Sequence, residues 1–293
     1  MSLKILFSPG DKVWIEDPQY PLLRAATRTQ DIVPVFVPVD NEGFNLQKAL
    51  EIDPTAKGVF LTPSHQCPLG MMTSIQRRRD ILQWASETGG WIVEDDYDSE
   101  LRYGGNLAYP SLQGMDSGNN VIYIGTFSKS LFPGLRLGYM VVPDDLVKAF
   151  SGMRFLIDRQ SNEILQLSVA EFIKTGLYET HLLKMRRIFE ARRDYLIEAV
   201  SDNFGDWGKF IATGQGMHMT FVFNNPDIDD EAVADLCRRQ GVELRPISSF
   251  SMGRPLYKGL IMGFGHFPPA QLLAAVSRIG FVLRDKFSAF GPA

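Results

Sequence analysis

"VIYIGTFSKSLFPGLRLGYMVV", residues 121–142, is the stretch on which the reading of this chain turns. It opens on an apolar run, Val121 to Gly125, passes through a short polar segment, and returns to an apolar run, Leu137 to Val142. β-Branched and aromatic runs of this kind, bounded by Gly and Pro, read as strands. Lys129 stands between Ser128 and Ser130, and Arg136 follows seven positions later. A lysine where the chain leaves the carboxyl end of a strand lies on the edge at which open α/β sheets bind ligands. Held there among apolar neighbours, its ammonium form is disfavoured, which frees a nucleophilic amine. An isolated lysine is more often simply an exposed loop residue.

The neighbours change that balance. Thr126 and Ser128 can donate hydroxyl hydrogen bonds, and Arg136 can grip an oxyanion with both arms of its guanidinium. A phosphate site beside a reactive amine suggests pyridoxal 5'-phosphate, whose aldehyde condenses with lysine while its phosphate anchors the other end. The ring nitrogen of that cofactor calls for a carboxylate. "WIVEDDYDSE", residues 91–100, offers Asp95 at a strand end and Tyr97 two residues on, able to bond the ring oxygen. Without Lys129, the same acidic run reads equally as a solvated loop or a site for a hard cation.

Working outward, short β-branched runs at 12–16, 32–39, 58–62, 91–95, 121–125 and 137–142 alternate with helical patterns such as "SIQRRRDILQWASETG" at 74–89. This is the signature of a mostly parallel α/β sheet flanked by helices. From Asn162 the pattern becomes helical, with a long amphipathic run from about 178 to 204. Strands at 216–223 and 259–265, and helices at 229–241 and 268–287, then form a smaller α+β part. We expect a large domain over 1–160, and a connecting helix with a small C-terminal domain over 161–293.

The 293 residues are 45% hydrophobic and 22% charged, enough for a full core. A net charge of -4 provides no basic face for nucleic acid. Cys67 and Cys237 have no metal-site spacing, so no metal is expected and a reduced, cytoplasmic setting fits best. There is no apolar stretch of membrane-spanning length and no signal peptide. A nucleotide-binding α/β protein would show a GxGxxG turn near its start, and none is present.

"EDPQYP" at 16–21, "TPSHQCPLG" at 62–70, "VEDDYDSELRYGG" at 93–105 and "YIGTFSKSLFPGLRLGYMVVP" at 123–143 together resemble fold type I pyridoxal phosphate enzymes of aminotransferase class I/II. More closely, they resemble the aminotransferase-like domain of the MocR/GabR branch of GntR-family transcription regulators. The resemblance implies an aspartate-aminotransferase-like fold and a homodimer. It also implies that Lys129 forms the Schiff base, Asp95 pairs with the ring nitrogen and Tyr97 bonds the phenolic oxygen, these three being the catalytic set. Thr126, Ser128 and Arg136 would hold the phosphate. Tyr20 matches the aromatic that stacks on the ring, a role for a flat face near a cationic heterocycle; a tyrosine packed under a Pro-bounded turn is the plainer alternative.

Three departures qualify the resemblance. At the turn that usually carries Asn-Pro-Thr/Ser-Gly, Cys67 and Leu69 replace the asparagine and the hydroxyl residue, and His65 or Gln66 substitutes. Ile261 stands where many members have a carboxylate-binding arginine, with Arg245, Arg254 or His218 as candidate replacements. The winged helix-turn-helix of the regulator branch is not visible, so DNA is expected to be bound only through an N-terminal domain absent from this chain. The expectation is an effector-sensing domain that takes a small amine or amino acid. The alternative is an active aminotransferase working between an amino acid and a 2-oxo acid.

Overall fold

A computed structural model describes residues 1–104, 109–160, 162–253 and 255–291. The chain divides into two compact units. One comprises Met1–Gln66, Met71–Glu100 and Leu107–Leu183; the other comprises Cys67–Gly70, Leu101–Asn106 and Lys184–Ala293.

The first unit runs α1 (Ser2–Leu6), β1 (Lys12–Asp17), α2 (Pro21–Arg28), β2 (Val33–Asp40), β3 (Gly43–Phe44), α3 (Leu46–Ile52) and β4 (Gly58–Leu61). It continues through α4 (Ile75–Thr88), β5 (Trp91–Asp96), α5 (Leu112–Met115), β6 (Val121–Thr126), β7 (Gly138–Val141), α6 (Val147–Asp158) and α7 (Glu163–Lys174). The strands form one sheet in the order β3-β2-β1-β4-β5-β6-β7. β2, β1, β4, β5 and β6 are mutually parallel, while β3 and β7 are antiparallel edges. Every strand expected from the apolar runs of this half is present.

The pleat sorts the apolar side chains onto two faces. Trp14, Val59, Leu61, Ile92 and Val121 join a cluster with Ile81, Trp84 and Ala85 of α4 and Leu112 of α5. Val13, Ile15, Phe60, Val93 and Ile122 join another with Leu3 of α1, Phe150 of α6 and Leu23 of α2. Residues buried on both faces explain why these strands read as continuous apolar runs. The Ser74 hydroxyl accepts from the Arg77 backbone N–H at 3.5 Å to start α4, and Gly89 ends the helix at a φ of 72°.

α8 (Leu177–Phe204) leads into the second unit, which adds β8 (Gly208–Ile211), β9 (His218–Phe223), α9 (Asp230–Arg239), β10 (Arg245–Pro246), β11 (Gly259–Gly263) and α10 (Pro269–Lys286). Its antiparallel sheet has the order β10-β11-β9-β8. Met219, Phe221, Phe223, Leu260 and Met262 pack with apolar residues of α8, α9 and α10. Among the described residues, no helix is long and apolar enough to cross a membrane.

Candidate active site

Because β1, β4, β5 and β6 are parallel neighbours, all four end on the same edge of the sheet. Tyr20 follows the end of β1, His65 and Gln66 follow β4, Asp95 and Tyr97 lie at and beyond the end of β5, and Ser128 and Lys129 follow β6. Asp95 is paired in register with Ile124. Side chains alternate along a strand, so Asp95, Ile124 and Thr126 share one face.

Thr126 organises the turn beyond β6. Its hydroxyl accepts from the Ser128 backbone N–H at 3.1 Å and donates to the Ser128 hydroxyl at 3.0 Å. The antiparallel register pairs Thr126 with Gly138, and the Phe127 N–H donates to the Leu137 carbonyl at 3.1 Å. That pairing carries Arg136 back alongside Ser128. Arg136 is exposed and has a left-handed φ of 48°, a conformation uncommon for a residue with a Cβ. The register therefore brings the backbone of Arg136 to the same loop pair that carries the two hydroxyls.

Lys129 is exposed, which corrects the expectation of an amine held among apolar neighbours. The Leu131 N–H donates to the Phe127 carbonyl at 2.9 Å, closing a turn that points Ser130 inward instead. Ser130 is buried, its hydroxyl accepting from the Tyr178 hydroxyl at 2.9 Å and its carbonyl accepting from His181 Nε2 at 2.9 Å. The buried serine anchors the turn and leaves the adjacent amine accessible at the sheet edge.

Asp95 combines two properties. Its side chain is accessible, yet burial by the surrounding protein pushes its carboxyl up to about 6, and the charges of Asp96 and Asp98 add to this. Asp96, on the opposite face, is buried and accepts from the Tyr123 hydroxyl at 2.9 Å.

Tyr97 and His65 come together on the same edge. Their rings stack at 5.7 Å with an interplanar angle of 26°, and the Tyr97 hydroxyl is 3.2 Å from His65 Nδ1. Both oxygens of buried Asp98 lie 2.9 Å from Nδ1. A carboxylate only accepts, so Nδ1 carries the hydrogen and donates to it. Gln66 is turned elsewhere: it is fully buried, and its Nε2 donates to the Pro18 carbonyl at 2.7 Å. Tyr20 is 44% exposed.

Sequence reasoning passed over Glu16. It is buried at the end of β1, and its Oε2 accepts from the Thr62 N–H at 3.0 Å and the Thr62 hydroxyl at 2.7 Å. The available signal was an acid inside the apolar run "KVWIED" of a strand covered on both faces.

In the second unit, Cys67 is half-buried and in no disulfide, Leu69 is buried, and the Pro68 carbonyl accepts from the Thr220 hydroxyl at 2.6 Å. Ile261 of β11 is paired with Thr220 on one side and with Arg245 of β10 on the other, and the Arg245 side chain is exposed. His218 is half-buried opposite Gly263. Arg254 lies outside the described residues.

Residues 2–262 match the family aminotransferase class I and II. Among curated proteins, the chain is 35% identical over 94% of its length to YdeL of Bacillus subtilis (strain 168), an uncharacterized HTH-type transcriptional regulator, of which it covers 58%. It is 33% identical over 94% of its length to MocR of Rhizobium meliloti, a probable rhizopine catabolism regulatory protein, covering 55% of it. It is 26% identical over 97% of its length to aromatic-amino-acid aminotransferase 1 of Thermococcus litoralis, covering 69% of that enzyme. The chain thus spans less than two thirds of the length of these regulators.

Among solved structures, kynurenine aminotransferase of Pyrococcus horikoshii, in complex with PMP, superimposes with a TM-score of 0.87 at 26% identity, over 96% of this chain and 71% of that one. The α-aminoadipate aminotransferase LysN of Thermus thermophilus, complexed with N-(5'-phosphopyridoxyl)-L-leucine, gives 0.88 at 25% identity, over 98% of this chain and 74% of that one.

Proposed function

The chain belongs to the aminotransferase class I and II family, and from that premise we propose that it is a pyridoxal 5'-phosphate-binding domain serving as the effector-sensing part of a MocR-type, GntR-family transcription regulator. The observation that carries the reading is the convergence of Asp95, Thr126, Ser128, Lys129 and Arg136 at one end of the parallel sheet. The likeness to YdeL and MocR favours the regulator role.

The residues fit the cofactor. Among the described residues, the Asp95 carboxylate has neither a hydrogen-bond donor nor a cationic partner, although burial and the charges of Asp96 and Asp98 disfavour its negative charge. A protonated ring nitrogen supplies that missing cation. When bound, pyridoxal phosphate contributes an aldehyde that takes up amines and a ring that withdraws electrons from them. Lys129 provides the accessible amine for the aldehyde end. Thr126, Ser128 and Arg136 bind the phosphate end, where a guanidinium fork matches two oxygens at once. Asp95 holds a negative charge toward the ring nitrogen, Tyr97 presents a hydroxyl to the ring oxygen, and Tyr20 offers a flat face for stacking. The His65–Asp98 pair fixes the ring against which Tyr97 stacks, which limits where the Tyr97 hydroxyl can point. Gln66 acts one step back, tying the segment after β4 to Pro18.

Pyridoxal phosphate mixed with the wild-type chain is expected to move to a long-wavelength absorbance, and the spectrum with Lys129→Ala is expected to stay that of the free cofactor. An identical shifted spectrum in the variant removes Lys129 from the chemistry.

A second reading, an aminotransferase working between an amino acid and a 2-oxo acid, draws on the enzyme from Thermococcus litoralis and on Arg245. Arg245, exposed on the strand beside Ile261, is the candidate this reading offers for the substrate's carboxylate. Turnover of an amino acid with a 2-oxo acid, lost in Arg245→Ala, is the result this reading requires.

We also infer a homodimer. Phe155, Leu156, Ile164 and Leu167 on α6 and α7 are 57%, 79%, 77% and 68% exposed, large apolar side chains that a partner subunit would cover. DNA would be bound through a separate domain of the whole protein, and two cysteines outside any disulfide suit a reduced cytoplasm. Light scattering at micromolar concentration should give twice the chain mass.

A further inference from the structure

The turn that carries Lys129 draws a donor from far along the chain. The Leu131 N–H donates to the Phe127 carbonyl at 2.9 Å, which closes a single helical turn. If that turn tightened or continued, the Ser130 carbonyl would take its bond from residue 133 or 134. Residue 133 is a proline without an N–H, and it opens the next short helix, Pro133–Leu135, instead. Ser130 is only 2% exposed, so its carbonyl needs a partner from within the protein. His181 Nε2 supplies it from 2.9 Å. A carbonyl only accepts, so Nε2 carries the hydrogen.

The same helix supplies a second grip. Tyr178 stands three residues before His181 on α8, the spacing at which side chains are neighbours on a helix surface. Its hydroxyl donates to the Ser130 hydroxyl at 2.9 Å, and its ring meets Phe127 edge-on with centroids 5.9 Å apart at 76°. Lys129 is thus bracketed, with Phe127 two residues before it and Ser130 directly after it held by α8. Phe172 of α7 backs both rings, its centroid 6.3 Å from Tyr178 and 6.3 Å from His181. Gly176, at a left-handed φ of 74°, ends α7 and lets α8 begin at Leu177. All of these residues belong to the first unit.

We propose that His181 and Tyr178 are positioning residues for Lys129, acting through the Ser130 carbonyl and hydroxyl. This rests on the reading above, in which Lys129 meets the aldehyde end of pyridoxal phosphate. A lysine stem is flexible and carries about 2 kcal/mol of rotamer entropy, so its amine reaches one point reliably only if its backbone is fixed. Misplacing a reacting group by about 1 Å can cost ~10²-fold in reaction. Holding the backbone on both sides of Lys129 while leaving its side chain exposed meets both needs.

Three variants separate the contributions. His181→Ala removes the donor, His181→Gln keeps one in a side-chain amide, and Tyr178→Phe removes a hydroxyl while retaining the ring. In the chain without cofactor, the Leu131 amide of His181→Ala should exchange with solvent about 3- to 10-fold faster than in the wild type, the worth of one hydrogen bond. His181→Gln should restore most of that protection, and Tyr178→Phe should fall between. With cofactor, the telling comparison is between pyridoxal 5'-phosphate and 4-deoxypyridoxine 5'-phosphate, which has a methyl group in place of the aldehyde. His181→Ala should bind the first about 10-fold more weakly and the second within about twofold of the wild type. A merely structural role would weaken both alike.

Equal weakening of both ligands overturns the proposal, and so does a Leu131 amide that exchanges no faster in His181→Ala. Should that variant fail to fold, ¹⁵N-histidine spectra of the wild type decide instead: a His181 Nε2 without a hydrogen removes the donor on which the grip depends, and a hydrogen there together with wild-type ligand preference in His181→Gln sustains it. If neither ligand binds the wild type, the cofactor reading fails while amide exchange and the histidine spectra still judge the grip on the turn. Lys129-dependent absorbance with an unchanged ratio of the two affinities in His181→Ala sinks this inference alone.

Discussion

Glu94 and Asp95 are consecutive on β5, and the pleat sends them to opposite faces of the same sheet. Glu94 points toward α4 and α5. It is fully buried, with the Leu112 and Gln113 N–H groups donating to its two oxygens, each at 3.0 Å, and the Arg78 guanidinium 3.9 Å away. Arg78 is itself fully buried and donates to the carbonyls of Thr73, Pro110 and Pro63 at 3.0, 3.0 and 2.7 Å. Glu94 and Arg78 thus have their polar groups met from within the protein. Among the described residues Asp95 has no such partners, and its carboxyl is pushed up to about 6 with no cation there to relieve it. Burial raises both carboxyls, but only one is compensated, and the uncompensated one is the one left open. One face of the strand end holds the structure together, and the other is left short of a positive charge that a ligand can bring.

The largest test of that contrast is Arg78→Met. It strands the Glu94 charge in the interior and should cost roughly 3–5 kcal/mol in urea unfolding. Adding Glu94→Gln should restore part of the loss, because the two residues act as one network. A cost below about 1 kcal/mol would mean that the closed face does not depend on this pair.

Asp95→Asn tests the open face. It should leave the neutral-pH unfolding midpoint unchanged or higher while weakening pyridoxal phosphate binding about 10- to 100-fold, the equivalent of the ~1.5–3 kcal/mol of a hydrogen bond to a charged group. Equilibrium titration of absorbance measures it. A variant that destabilises the fold as Arg78→Met does would erase the distinction between the faces.

pH sharpens the comparison further. Asp95 rises from 3.8 to about 6 on folding, so the folded chain binds the extra proton between those values. Its contribution to stability is fullest below about pH 4 and falls as pH climbs to about 6, while cofactor binding strengthens over the same interval as the carboxylate forms. Asp95→Asn should flatten both profiles in that window, an opposition that a purely structural carboxylate would not show.

The smallest expected effect is at Thr126. Replacing it with alanine removes the hydroxyl that accepts from the Ser128 N–H at 3.1 Å, costing about 0.5–1.5 kcal/mol. Phosphate-end binding should weaken by a few fold, measurable as a lower affinity for the cofactor than for its unphosphorylated aldehyde form would predict.

What the sequence by itself determined is local and periodic. Apolar runs bounded by Gly and Pro placed the strands. The ends of "WIVED" and "VIYIG" put Asp95 and Lys129 at the ligand-binding edge, and Lys129 and Arg136 fell between two apolar runs that the antiparallel β6–β7 register then joins. What only the tertiary structure decided is the partner of each polar group. His65 meets Asp98 across 33 residues, Glu16 meets Thr62 across 46, and Arg245 falls opposite Ile261. The turn at Ser130, not the composition around it, left Lys129 exposed. Local propensity sets where a strand begins and ends, but the register between distant strands is fixed by packing of the whole sheet. Whether a carboxylate becomes a brace or a site depends on which donors that register brings within reach.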